Sequence, residues 1–393
     1  MVGIVDTGLG ARIAERARRF GSLPWSAFME AALYDPEEGF YQAGGRAGRA
    51  GDFVTSPELG PLFAVAVAHA LDACWEELGQ PDPFVVVEAA AGIGTLARDI
   101  LAATPACGPA LRYVLVEQSA SLRAAQAAHL PIELPTLVLG PMASPGADGD
   151  DDDARSQPGI GPLVTALSDL PAVPVIGVVL ANELLDNLPV DLLEFHAGRW
   201  HEVRVAAPES GDDELVELLV PAPDRVAAAA DRLAGGPVPE GGRIPLEAAA
   251  VEWLGLALAT VAEGRVILID YVDSTAALAR RPWREWLRTF RNHQPALFPL
   301  VAPGMQDITC VVACDQLAAV RPPDDDRSQA QWLAAQGMDR LVATARETWR
   351  QRAAIGDLAA LRARSRVHEG EALADPAGLG GHRVLQWIVR GRA

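Results

Sequence analysis

The residues with the clearest chemical potential lie in one stretch, Phe84–Ile100, which reads FVVVEAAAGIGTLARDI. Four apolar residues lead into Glu88, small residues continue to Gly92 and Gly94, and a helix-like pattern begins at Thr95. This order predicts a buried parallel strand, a tight turn and a helix N-terminus. Glycine lets the backbone approach a ligand closely, and free N–H groups at a helix start favour electron-rich ligand atoms. The stretch therefore predicts a nucleotide-type cofactor at the carboxyl end of a doubly wound sheet.

Two cofactors compete for this turn, and a purely structural strand-to-helix turn is the third interpretation. Gly92, Gly94 and Ala97 fit the loose dinucleotide pattern, and Glu117 follows about twenty residues later, where a ribose-binding acid belongs. Enzymes that use S-adenosylmethionine (SAM) also place a glycine turn after the first strand and an acid after the second. Glu88 favours SAM, because those enzymes often carry an acid on the strand end, near the cationic methionine group. We therefore assign Glu88, Gly92 and Gly94 to the methionine end of SAM and Glu117 to its ribose.

A second group of polar residues follows another apolar strand, Val175–Leu180. Asn182, Glu183 and Asp186 come soon after it, and Pro189 closes the segment. Because parallel strands present their carboxyl ends at one edge of a sheet, these side chains are expected beside any bound cofactor. Helix capping explains a single asparagine, but it does not explain three polar residues together with a proline.

A third stretch, residues 51–58, precedes the glycine turn in the chain. Ser56 as an N-cap, with a proline and an acid in the first helical turn, accounts for its second half. Capping does not account for its first half, which contains Asp52. We expect Asp52, Thr55 and Ser56 to belong to a loop that covers the cofactor.

The remaining chain divides into five segments by composition and pattern. Residues 1–50 form a helical extension with a glycine-rich loop, and residues 51–205 form the cofactor-binding core. Residues 206–262 are an inserted segment that we expect to contact the substrate or a partner. Residues 263–320 complete the sheet, and residues 321–393 supply helices and a closing strand.

Composition excludes several classes of function. The 393 residues are half hydrophobic, and their net charge of −19 argues against nucleic acid as the main partner. The four cysteines form no zinc-ligand spacing with one another or with histidine, so no metal is expected. No basic leader with an apolar core and no long apolar span is found, so the sequence predicts a soluble, cytoplasmic protein without membrane insertion.

Taken together, these motifs resemble the MidA-type SAM-dependent methyltransferases, whose mitochondrial members assist assembly of respiratory complex I. Five ordered motifs carry the resemblance over most of the chain. They are Gly51-Asp52-Phe53-x-Thr55-Ser56-Pro57-Glu58, Glu88-x-x-x-Gly92-x-Gly94-Thr95-Leu96 with Glu117, Asn182-Glu183-Leu184-x-Asp186-x-Leu188-Pro189-Val190, Ile269-Asp270-Tyr271, and Pro303-Gly304-x-x-Asp307-Ile308-Thr309. The resemblance implies an α/β, doubly wound, Rossmann-like class I SAM-dependent methyltransferase fold with an N-terminal helical extension and inserted segments.

The resemblance also implies the reaction and its partners. The mitochondrial members dimethylate a protein arginine symmetrically, so the expected partner is an arginine-bearing protein segment, with a respiratory complex I subunit as one candidate; a homodimer stays open. Carboxylates pair with a guanidinium through charged, bidentate hydrogen bonds. Glu183 is therefore assigned the main substrate-orienting role. Asn182 and Asp186 support it, Asn182 also beside the cofactor, and Asp270 and His293 are further catalytic candidates.

The chain departs from the family pattern at three places. Ala89, Ala90 and Ala91 precede Gly92 where the family usually has a glycine and a proline, Val272 replaces a glycine, and His382 replaces an aromatic residue. Two alternatives to methyl transfer therefore remain. One is a catalytically inactive methyltransferase-like assembly or binding protein, and the other is an NAD-dependent oxidoreductase.

Overall fold

A computed structural model describes residues 8–42, 55–140, 159–208, 214–291, 294–295 and 297–391 of the chain. Its α-helices are α1 (Gly8–Phe20), α2 (Trp25–Tyr34), α3 (Ser56–Leu59), α4 (Pro61–Glu77), α5 (Thr95–Ala102), α6 (Ala120–Ala125), α7 (Pro135–Leu139), α8 (Asp224–Ala234), α9 (Ala248–Thr260), α10 (Thr275–Leu278), α11 (Cys314–Ala318), α12 (Gln329–Ala335), α13 (Met338–Arg352) and α14 (Leu358–Ala374). Its strands are β1 (Leu23–Pro24), β2 (Phe84–Ala89), β3 (Leu111–Val116), β4 (Leu163–Leu167), β5 (Val175–Asn182), β6 (Asp191–His196), β7 (Arg199–Ala206), β8 (Val216–Pro221), β9 (Arg243–Leu246), β10 (Val261–Asp270), β11 (Val272–Asp273), β12 (Leu287–Arg291), β13 (Gln294–Pro295), β14 (Asp307–Cys310), β15 (Val312–Ala313), β16 (Asp325–Ser328) and β17 (Arg383–Val389). Within these ranges, no helix combines the length and the apolar character needed to cross a bilayer.

The chain forms two compact units, here called the sheet unit and the acidic unit. The sheet unit consists of Thr55–Asn182, Leu256–Ile269 and Pro323–Ala393. The acidic unit consists of Met1–Val54, Glu183–Gly255 and Asp270–Pro322. The boundaries of these two units differ from those of the five predicted segments. Most of the predicted insert, residues 206–262, belongs to the same unit as the N-terminal extension.

The sheet unit is built on one seven-stranded sheet. Strands β4, β3, β2, β5 and β10 lie side by side in that order and run parallel. Strands β17 and β16 extend the sheet beyond β10 and are antiparallel to each other. The chain runs outward from β2 to β4 and then returns to β5 on the other side of β2, so the strand order reverses between β2 and β5. Ligands of doubly wound folds bind at such a reversal, and the predicted fold class is confirmed.

The core of the sheet unit explains why these segments form strands and helices. All six residues of β2 are buried, as expected for a parallel strand covered on both faces. In α4, Phe63, Val67 and Leu71 recur every four residues, which places them on one face of the helix. They join the same buried cluster as Val86 of β2 and Ile100 of α5. Burial of this cluster fixes the glycine turn between β2 and α5 on a rigid support.

The acidic unit contains antiparallel sheets and two N-terminal helices. Strands β1, β7, β6 and β9 form one sheet, with β8 also paired to β7, and β13, β12 and β14 form a second. Strands β6 and β7 form a hairpin that turns at Gly198, which has a φ of 77°. The second of these helices, α2, packs its Trp25 and Phe28 in one buried cluster with Trp286.

One predicted helix start is wrong. Thr55, not Ser56, occupies the N-cap position of α3, and it makes no side-chain capping bond. The Ser56 hydroxyl instead donates to Gln329 Oε1 at 3.1 Å in the interior of the sheet unit. The helix also breaks at Gly60, so α3 and α4 are separate elements.

Candidate functional site

The turn between β2 and α5 uses left-handed backbone at three positions. Ala90, Gly92 and Gly94 have φ values of 55°, 53° and 85°. The Ala91 N–H donates to the Val116 carbonyl at 3.0 Å, which ties the turn to the end of β3. Alanine in place of a glycine at position 90 therefore leaves the left-handed turn in place, at a conformational cost of about 1–2 kcal/mol.

The two glycines of the turn have different roles. A Cβ at Gly94 would lie 2.9 Å from Leu130 Cδ1, so a side chain there would disturb the packing under the turn. A Cβ at Gly92 would meet no atom within 4 Å, so Gly92 faces open space. Gly92 thus offers bare backbone to a ligand, immediately before the free N–H groups that begin α5.

Glu117 follows the end of β3, and its two oxygens connect the glycine turn to the start of α6. Its Oε2 accepts the Gly92 N–H at 2.9 Å, and its Oε1 accepts the Ser119 N–H at 2.8 Å. Burial raises the pKa of this carboxyl, while these two N–H groups and Arg123 oppose the rise. Each carboxylate oxygen keeps a second acceptor position, which suits a pair of ribose hydroxyls.

A glutamine that the sequence interpretation missed completes the support of Gly92. Gln126 Nε2 donates to the Gly92 carbonyl at 2.8 Å. Gln126 is fully buried, and its Oε1 has no hydrogen-bond partner among the described residues. Glu117 and Gln126 therefore hold the Gly92 peptide by its N–H and its carbonyl. No local sequence signal pointed to Gln126, because its partner Gly92 lies 34 residues away in the chain.

Glu88 lies on β2 and is engaged inside the sheet unit. Only 5% of it is exposed, and its Oε2 accepts the Tyr113 hydroxyl at 2.7 Å. Burial raises its pKa to about 7, while the bonds from Tyr113 and the Ala97 N–H oppose the rise. The carboxyl therefore carries a proton part of the time at neutral pH. Its assignment to the methionine end of SAM stays a prediction.

The covering-loop residues lie only partly within the described chain. Thr55 and Ser56 are buried in the sheet unit, and the bond from Ser56 to Gln329 gives Ser56 a packing role. Asp52 lies outside the described residues. Contact of these three residues with the cofactor stays a prediction.

The second predicted motif begins at the end of β5. Asn182 is the last residue of that strand, paired in register with Ile269 of β10. Glu183, the next residue in the chain, belongs to the acidic unit and has a φ of 53°. A left-handed glutamate is uncommon, and backbone strain of this kind concentrates at functional sites.

Asp270 organises the turn that follows Glu183. Its Oδ2 accepts the Leu185 N–H at 2.9 Å and the Asp186 N–H at 3.4 Å, and its Oδ1 accepts the Tyr271 N–H at 2.8 Å. Asp270 therefore acts on Asp186 through the backbone. The structure brings these predicted residues together, whereas His293 lies outside the described residues.

The carboxyl groups of this cluster, Glu183, Asp186, Asp270 and Asp307, lie close enough to influence one another's ionisation. Burial, with the charge of Glu183, raises the pKa of Asp270 to about 8. Burial raises the pKa of Asp186 well above its usual range, Asp270 and Asp307 add to the rise, and Arg288 opposes it. Asp186 Oδ1 is buried without a hydrogen-bond partner among the described residues. A cation beside these groups would favour their ionised forms.

Two tyrosines and Asn187 support Asp307 within the cluster, and no catalytic or binding role was predicted for any of these residues. Tyr41 donates its hydroxyl to Asp307 Oδ1 at 3.1 Å, and Asn187 Nδ2 donates to the same oxygen at 3.1 Å. Tyr34 donates to the Asn187 carbonyl at 3.0 Å and stacks on Tyr41 with 5.6 Å between ring centres. The signal was the Asp307 motif together with the scarcity of tyrosine, of which the chain has four.

Among the described residues, no group of three or more His, Cys, Asp or Glu side chains is placed to hold a metal ion.

A family model and two solved structures match most of the chain. The model described as "Putative S-adenosyl-L-methionine-dependent methyltransferase" matches residues 66–324. A solved protein from Burkholderia thailandensis with bound S-adenosyl-homocysteine (SAH) is 30% identical, with a TM-score of 0.77, and the match covers 97% of this chain and 92% of that one. A native structure from the same organism is 29% identical, with a TM-score of 0.75 and coverage of 97% and 91%.

Curated relatives match over shorter regions. The mitochondrial protein arginine methyltransferase NDUFAF7 homolog of Drosophila melanogaster is 32% identical over 195 residues, which is 48% of this chain and 43% of that protein. Mitochondrial NDUFAF7 of Mus musculus is 27% identical over 301 residues, or 74% of this chain and 64% of that protein. The matched regions thus span less than two thirds of either relative. The expectation of a cytoplasmic protein is contradicted, because these relatives are named mitochondrial proteins.

These findings settle the choice between the two cofactors considered for the glycine turn. The family model names SAM, and it spans the turn, Glu117, the acidic stretch after β5 and Asp270. The chain therefore belongs to the MidA-type family of SAM-dependent methyltransferases.

Proposed function

We propose that the protein transfers the methyl group of SAM to a guanidinium nitrogen of an arginine in a protein substrate. The observation that carries this proposal is the acidic cluster after β5. There Glu183 stands in a left-handed conformation, and Asp186 keeps a buried oxygen without a described partner. A substrate guanidinium would bring positive charge and a fork of N–H donors to these carboxylates.

The residues of the sheet unit fit the cofactor. Gly92 faces open space beside the start of α5, and Glu117 keeps free acceptor positions at the end of β3. We assign Gly92 to the close approach of the cofactor, Gly94 to the tight turn that holds Gly92 there, and Glu117 to the ribose hydroxyls. SAM supplies an activated methyl group for in-line displacement at carbon. The protein's task is then to hold the acceptor nitrogen close and aligned.

The carboxylates of the acidic unit are assigned to that task. Glu183 accepts N–H bonds from the guanidinium and orients one terminal nitrogen, with Asn182 and Asp186 in support. Asp270 is a positioning residue, because it acts through the backbone N–H groups of Leu185 and Asp186. The proton of the acceptor nitrogen need not leave before methyl transfer, and a carboxylate of the cluster can take it afterwards.

The printed names of the curated relatives support arginine as the acceptor. Symmetric dimethylation and a respiratory complex I subunit as the target are proposals that rest on the family resemblance alone. The inactive alternative drew on the three alanines before Gly92 and on the departures at Val272 and His382. The left-handed φ of Ala90 supports the active alternative at one of these positions, since the alanine adopts a conformation suited to the turn.

The test uses the full chain, tritiated SAM, and an extract of the source organism from which this protein has been deleted. The expected result is labelled methylarginine after acid hydrolysis. Glu183→Gln should reduce the label about a hundred- to a thousandfold without changing SAH affinity, because it removes a charge that acts on the acceptor. The exposed Glu214→Gln serves as the matched control. Label in methyl-lysine or in methyl esters, or equal loss in both variants, would contradict the proposal.

A further inference from the structure

A cavity of about 350 Å³ opens beside β12 in the acidic unit. This volume lies at the lower end of the range of protein ligand pockets, about 300–1,000 Å³. Its walls combine aromatic rings with two arginines. The residues that matter here are Trp283, Arg284, Arg288, Phe290 and Phe298.

Arg284 presents an exposed cation on aromatic surfaces. Its guanidinium carbon lies 4.4 Å from the centre of the Trp283 ring and 5.1 Å from that of Phe298. It forms no ion pair with a carboxylate of the described residues. The neighbouring Arg281, in contrast, pairs with Asp273 at 3.0 Å. Stacking on rings orients a guanidinium while its edge stays open to an anion.

Arg288 connects the cavity to the acidic cluster. It lies 5.2 Å from the Tyr271 ring and 5.6 Å from the Phe290 ring. Its Nε is buried without a hydrogen-bond partner among the described residues. Across the β12–β14 ladder, Phe290 pairs with Asp307 of the cluster. The cavity and the cluster therefore lie on two paired strands, β12 and β14.

The charges around the cavity favour a single carboxylate over a polyanionic surface. Two guanidinium groups suit a carboxylate, which arginine binds through bidentate hydrogen bonds. A polyanionic surface such as a membrane or a nucleic acid would approach a chain of net charge −19. Repulsion from this charge disfavours it. A single acidic side chain on an otherwise basic segment meets both requirements.

We propose that this cavity binds an acidic side chain of the protein substrate, close in sequence to the acceptor arginine. The inference rests on the proposed arginine methylation and adds a second recognition element to it. The substrate motif is then a pair of opposite charges. The arginine enters the acidic cluster, and the acid meets Arg284 and Arg288.

The test measures binding of synthetic peptides to the full-length protein saturated with SAH. Each fluorescein-labelled peptide has one central arginine and one glutamate, placed in turn at every neighbouring position, with glutamine-containing peptides as the matched series. Glutamate at a preferred position should strengthen binding about two- to fivefold, as exposed ion pairs do. Arg284→Gln should abolish this gain and leave the glutamine series unchanged. Arg281→Gln should retain it.

The outcomes distinguish failure of the cavity proposal from failure of the proposed arginine methylation. If the glutamine peptides bind and their arginine-to-lysine versions do not, but glutamate gives no gain at any position, the cavity proposal fails and arginine recognition stands. A gain that persists in Arg284→Gln also overturns the cavity proposal. Binding by neither series overturns both proposals. Arg284-dependent binding to phosphatidylglycerol vesicles without a glutamate gain would assign the cavity to a membrane instead.

Discussion

Glu117 is the residue whose removal reports most directly on the cofactor site. Its two oxygens already hold Gly92 and Ser119, and their remaining acceptor positions are assigned to the ribose. Glu117→Gln should weaken SAH binding about ten- to a hundredfold, since a charged hydrogen bond contributes roughly 1.5–3 kcal/mol. Titration calorimetry of the purified variant measures this loss.

The matched control for that experiment is Glu133→Gln. Glu133 belongs to the sheet unit, is exposed, and lies two residues before the start of α7. Its SAH affinity should equal that of the unchanged protein. Equal SAH affinities in the unchanged protein and both variants would show that Glu117 does not bind the cofactor.

Ala90 adopts a left-handed backbone conformation, which is less favourable for alanine than for glycine. Its φ of 55° lies in the left-handed region, whereas Ala91 next to it is not among the positive-φ residues. Ala90→Gly should raise the free energy of unfolding by up to about 1 kcal/mol, less the entropy that glycine adds to the unfolded chain. Ala91→Gly should lower it by about 0.5–1 kcal/mol. Urea unfolding of both variants gives the comparison, and a loss in Ala90→Gly as large as that in Ala91→Gly would contradict the strain argument.

At the scale of elements, the turn between β5 and β6 depends on a buried carboxyl whose protonation changes with pH. Burial raises the pKa of Asp270 to about 8, far above the value of about 3.9 for an exposed aspartate. Between these two values the folded protein binds a proton that the unfolded chain has lost. The stability from this group is therefore present at low pH and declines as the pH rises towards 8.

Asp270→Asn isolates this contribution. The unchanged protein should lose stability from pH 5 to pH 8, and the variant should lose less, by up to about 1.4 kcal/mol per pH unit for the one proton removed. Urea unfolding midpoints across that pH range measure the difference. Parallel pH profiles would show that Asp270 titrates alike in the folded and unfolded states.

The elements found from the sequence are those with local signals. The apolar run before Glu88 and the glycines at 92 and 94 specify a strand and a turn by themselves, and both are present. Gln126 and Asp307 were not given functional roles, because their partners lie far along the chain. Gln126 meets Gly92 across 34 residues, and Asp307 meets Tyr41 across 266. Spacing within one motif carries no information about such pairs, which depend on how the elements pack.

The charge of the whole molecule predicts how fast a basic substrate arrives. A net charge of −19 creates a field that attracts a basic peptide over distances comparable to the Debye length, about 10 Å at 0.1 M salt. Stopped-flow measurement with a fluorescein-labelled, arginine-containing peptide of positive net charge should show association slowing about tenfold between about 20 and about 500 mM NaCl. A peptide with the same arginine but no net charge should slow much less, because only the contact in the acidic cluster attracts it. Identical salt dependence for the two peptides would mean that the acidic surface serves solubility and does not guide the substrate.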